Sequence, residues 1–105
     1  MIRVTLRWKG DEIVSFECKG HAGFAEAGQD IVCAAVSILT TTCVNALETV
    51  AGVKPEATAE SGLMLISLPR NAGHDAQVIL KSMRQGLSDL REEYPGYLQL
   101  TELSV

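Results

Sequence analysis

DIVCAAVSILTTTCVNALETVAG, residues 30–52, decides the fold of this 105-residue chain. Residues 31–47 carry no charge, and the run is longer than an ordinary strand. Asp30 stands where an N-cap belongs and Gly52 where a helix stops, so the segment predicts a helix from Ile31 to about Ala51. An uncharged run of this kind also admits a membrane-spanning reading. Ser37, three threonines and Asn45 interrupt it, however, and its length is at the short end of spanning. The expectation is a helix covered by a sheet and a partner, with no membrane span.

Upstream, Ile2, Val4, Leu6 and Trp8 alternate with Arg3, Thr5 and Arg7, and residues 12–18 have strand character beyond Gly10-Asp11. That pattern predicts a hairpin. Downstream, residues 53–59 and 63–69 flank Ser61-Gly62 as a second hairpin. Ile79, Met83, Leu87, Leu90 and Tyr94 then recur at helical spacing from near Asp75 to before Pro95, and residues 97–104 make a last strand. The expected fold class is α+β: a single-domain sandwich over residues 1–105, with a mainly antiparallel sheet, two helices and the order ββαββαβ.

Apolar residues at 47% and charged residues at 21% suit one globular domain. The opening MIRVTLRWKG lacks the apolar core of a signal peptide. With three cysteines, an odd number, the expectation is reduced thiols in the cytoplasm. A net charge of −4 opposes nucleic-acid affinity, so no direct nucleic-acid contact is expected. The acidic residues Glu26 and Asp30 favour a basic polypeptide partner instead.

Chemistry concentrates in GHAGFAEAGQDIVCAAVS, residues 20–37. Gly20, Gly23 and Gly28 mark residues 20–29 as a mobile loop. With Asp30 as N-cap, Cys33 falls in the first turn, among N–H groups that lack intrahelical acceptors and favour a thiolate. Lowering a thiol by two pH units takes about 2.7 kcal/mol, whereas a helix N-terminus supplies about 0.3–1 and at most about 2 kcal/mol. An imidazolium is the usual remainder. His21, twelve residues upstream on the glycine-containing loop, is better tied to that position than His74. Asp30 either caps the helix or orients the histidine, and it cannot do both fully. Ser37, one turn after Cys33, is placed to donate a hydrogen bond to substrate or thiolate. The helix-start N–H groups are the expected oxyanion donors.

Cys18 and Cys43 read as core thiols and His74 as a surface residue. Zinc on Cys18, His21 and Cys33 competes, but a fourth ligand is missing. No Walker loop or dinucleotide fingerprint is present, so neither metal nor cofactor is expected.

Gly20-His21-Ala22, followed by Gly28, Asp30, Val32-Cys33-Ala34 and Val36-Ser37, resembles the ribosomal-processing cysteine protease family, Prp. The resemblance extends along the whole chain in length and element order. It implies an endopeptidase that removes the N-terminal extension of large-subunit ribosomal protein L-twenty-seven after paired phenylalanines. It further implies His21 and Cys33 as the catalytic pair, assistance from Asp30, a loop that rearranges to admit substrate, and a homodimer. The alternative is a binding module that recognises ribosomal proteins without cutting them.

Overall fold

The computed structural model describes residues 1–26 and 28–105. The expected mobile loop at 20–29 includes Ala27, which lies outside the described residues.

Alternation of buried Ile2, Val4 and Leu6 with more exposed neighbours produces β1 (Ile2–Lys9), which pairs antiparallel with β2 (Glu12–Lys19). After the loop comes α1 (Ile31–Thr49), then β3 (Glu56–Glu60), β4 (Leu63–Ser67), α2 (His74–Glu93) and β5 (Leu98–Ser104). The five strands form one sheet in the order β3-β4-β2-β1-β5. All pairs are antiparallel except β1 with β5, because α2 carries the chain back to the sheet before β5 runs beside β1.

Helix α1 is rich in β-branched residues, which are mediocre helix formers, so packing has to supply what local preference does not. Val32, Val36, Thr40, Cys43 and Leu47 recur every three to four residues and bury one stripe of the helix. Each fully buried Val or Leu contributes about 1.5–3 kcal/mol, more than the propensity deficit of a residue. By length and hydropathy α1 is apolar enough to cross a membrane; in the fold, this stripe joins the core with Leu6, Phe16, Ile66 and Leu80. Ile31, Ile38 and Val50 remain exposed along it.

One tie between the layers has no counterpart in the hydrophobic pattern. The register shifts between Arg7 and Trp8, and at Ile13, which faces Trp8 across the shift, the buried Gln77 of α2 binds the strand backbone. Its Oε1 accepts the Ile13 N–H at 2.8 Å, while its Nε2 donates to the Ile13 carbonyl at 2.9 Å.

Candidate active site

The end of β2 delivers the chain to Gly20, whose N–H donates to the Gly62 carbonyl of the β3–β4 turn at 2.9 Å. Gly20 has φ of 92°, and a Cβ there would lie 2.6 Å from the Met1 carbonyl oxygen, so only glycine fits. The next residue, His21, is exposed and lays its imidazole against the same turn. A Cβ on Gly62 would come within 3.2 Å of His21 Nε2.

Asp30 ends the loop and starts α1. Its Oδ1 accepts the N–H groups of Val32 at 3.0 Å and Cys33 at 2.9 Å, while Oδ2 accepts those of Phe24 at 3.0 Å and Ala25 at 3.4 Å. The Cys33 N–H is the chief cause holding this carboxyl below its ordinary range; burial opposes it, and the Phe24 and Ala25 N–H groups reinforce it. Of the two roles open to Asp30 in the sequence, its hydrogen bonds fill the cap and a second task, fastening the loop, and none reaches His21. The same bonds correct the expected oxyanion donors. The Val32 and Cys33 N–H groups are occupied by Asp30, and the Ala34 N–H bonds the Asp30 carbonyl at 3.0 Å.

The donor at the sulfur comes from the loop instead. Ala22, buried beside the core, gives its N–H to Cys33 Sγ at 3.2 Å. The contact aims a backbone N–H dipole at the one sulfur that borders the loop and the helix start. Sequence reasoning missed Ala22, and its position in the GHA triplet was the available signal.

Two cavities meet at this point. One, of about 190 Å³, has Cys33 and His21 at its rim, an apolar lining from Ile2, Val36 and Met64, and Ser37 on the helix side. The other, of about 410 Å³, lies between the loop and α1, with Gly23, Gly28 and Asp30 beside Cys33, His21 and Ser37. Of the candidate site residues, His21, Cys33 and Ser37 thus border both, and Gly20, Gly23, Gly28 and Asp30 border one. Gly23 and Gly28 have φ of 71° and 86°. Both values lie in the left-handed region, which glycine adopts without strain.

Cys18 also lines the smaller cavity, where burial, with a smaller contribution from neighbouring Cys33, pushes its thiol up to about 11. Burial pushes Cys43 up to about 12. His74 is exposed at the first residue of α2 and borders neither cavity. Among the described residues, no group of His, Cys, Asp and Glu is arranged to hold a metal ion.

A cysteine sulfur at a helix start, sharing two clefts with a histidine, is an arrangement for nucleophilic attack on an acyl group. The family model for the cysteine protease Prp matches residues 1–99. The chain belongs to the Prp family. It is a cysteine protease by that membership. A Bacillus subtilis relative named ribosomal processing cysteine protease Prp is 35% identical over 96% of each chain. The crystal structure of the Prp protease from Staphylococcus aureus, with a covalently linked product peptide, is similar at a TM-score of 0.93 and 28% identity, covering 97% of this chain and 99% of that one. A Streptococcus mutans crystal structure is similar at a TM-score of 0.88 and 32% identity, covering 100% and 96%. The expected ββαββαβ arrangement is therefore both the observed fold and that of Prp structures.

Proposed function

We propose that this Prp protease is a cytoplasmic endopeptidase that removes the N-terminal extension of ribosomal protein L-twenty-seven after its paired phenylalanines. The observation that carries the reading is the Ala22 N–H on Cys33 Sγ, with His21 bordering the same two cavities. In this mechanism the Cys33 thiolate attacks the peptide carbonyl carbon, and the imidazolium of His21 gives its proton to the departing amine. Water then adds to the thioester, His21 takes its proton, and the acid product leaves with the thiolate restored. The Ala22 N–H, already at the sulfur, is the oxyanion donor in this reading, since the Val32 and Cys33 N–H groups are taken by Asp30. Ser37 hydrogen-bonds substrate from the rim of both cavities, and Gly20, Gly23 and Gly28 shape the loop that admits it. Asp30 assists by fixing helix and loop together.

The apolar lining of the smaller cavity suits an aromatic substrate side chain. The relatives named for ribosomal processing, and the product-peptide complex of the Staphylococcus aureus protein, support this substrate class. A homodimer is part of the proposal. Its support is the exposed Ile38 and Val78 around an apolar groove of about 360 Å³ between α1 and α2. Incubation with the L-twenty-seven precursor, followed by intact-mass measurement, tests the reading. Loss of the extension is expected with the wild type and not with Cys33→Ala; an unchanged precursor with folded wild type would refute it.

A further inference from the structure

Phe24 is 39% exposed in a loop whose other residues are small or polar, yet its ring is not free. It meets Tyr94 at a centroid distance of 5.6 Å with planes at 83°, and Tyr97 at 5.1 Å with planes at 72°. Both are edge-to-face arrangements of the favoured kind. The two tyrosines sit on fixed ground. Tyr94 is the C-cap of α2, with its N–H on the Leu90 carbonyl, and the Tyr97 carbonyl accepts the Ile2 N–H at 3.0 Å. The Phe24 backbone is held as well, through its N–H on Asp30. Only Gly23 separates this anchored residue from Ala22, the donor to Cys33 Sγ.

We propose that Phe24 is a positioning residue: clasped by Tyr94 and Tyr97, it holds the Ala22 N–H on the sulfur of Cys33. The inference rests on the reading of Cys33 as nucleophile and adds to it a fixed point outside the two cavities. Without the clasp, Gly23 is free to rotate the Ala22 peptide away, and the thiolate and oxyanion lose a preorganised donor. The two tyrosines act through the loop and touch no reacting atom.

Phe24→Leu keeps apolar bulk and removes the ring, while Phe24→Tyr keeps the ring. The expected result for Phe24→Leu is a kcat lower by about tenfold with KM within about twofold, since a donor is displaced and no substrate contact is lost. Its profile of Cys33 alkylation against pH moves up by about half a unit, the scale of one hydrogen bond to sulfur. Phe24→Tyr restores both. The titratable groups that share a cavity with the sulfur are His21 from the loop, Cys18 from β2, Asp30 from the cap and Glu60 from β3, and none is substituted in these variants. Tyr97→Leu and Tyr97→Phe repeat the comparison from the scaffold side, each assayed below its own melting temperature. Wild-type kcat and alkylation in both leucine variants would overturn the proposal, as would a gain of activity, which would make the clasp a restraint. Should the wild type cut no precursor, the proteolytic reading fails, and the alkylation profile still decides the clasp.

Discussion

Three cysteines in one small domain differ because their surroundings differ. Cys18 and Cys43 are pushed up to about 11 and 12, chiefly by burial, whereas Cys33 receives an N–H and borders two open cavities. Iodoacetamide at pH 7 is therefore expected to label Cys33 at least about tenfold faster than either of the others, measured by peptide mass mapping. Equal rates in the folded protein would remove the case for activation. His21→Ala is expected to lower cleavage by about a hundredfold or more, with His74→Ala near wild type, since His74 borders neither cavity. The glycines separate by the same logic. Gly20→Ala meets the Met1 backbone and should cost folding, whereas Gly62→Ala presses on the imidazole and should cost turnover as well. His21, Asp30 and Cys33 were legible because their chemistry is local, whereas the Ala22 donor is backbone and leaves no mark in side-chain type. The Gly62 contact was not, since nothing in a turn signal says which side chain rests on it.

At the scale of elements, Asp30 joins the start of α1 to the loop. Its carboxyl ionises more readily in the fold than in the unfolded chain, so its contribution is complete above the ordinary carboxylate value of about 4 and is lost as pH falls through the lower folded value. Asp30→Asn keeps an acceptor for the cap and loses the charge. Thermal melts are expected to show the variant lower by about 5 °C at pH 7, with less further loss between pH 5 and pH 2 than the wild type. Parallel curves across that range would mean that the charge contributes nothing. Gln77 makes the other junction, and Gln77→Ala leaves the Ile13 N–H and carbonyl buried without partners. The expected cost is about 2–4 kcal/mol by urea unfolding, with kcat retained. Alternation, helical spacing, turn signals and the capped, uncharged run of α1 revealed every element, with ends displaced by a few residues: β3 begins at Glu56 where residue 53 was expected. The pattern could not show the parallel pairing of β5 with β1 or the Gln77 tie, because both depend on where a helix returns the chain.

The whole molecule places chemistry at one end of the sheet and an exposed apolar groove between its two helices. If the groove between Ile38 and Val78 pairs two copies, Ile38→Glu should convert the dimer to a monomer in light scattering while leaving the melting curve cooperative. A wild-type monomer at tens of micromolar would contradict the dimer. Charge and cysteine count pointed towards a reduced, polypeptide-handling protein. The assembly of the site from β2, the loop, α1, the β3–β4 turn and the Tyr94–Tyr97 corner is a long-range product that no window of sequence contains. The central claim is that Cys33 carries the acyl group during peptide cleavage. Acid quenching during turnover of the precursor, with mass mapping of the enzyme, reads this directly. An N-terminal product fragment linked as a thioester to Cys33, absent from Cys33→Ala, is the predicted result; cleavage with no adduct on Cys33, or continuing at the wild-type rate in Cys33→Ala, would contradict it.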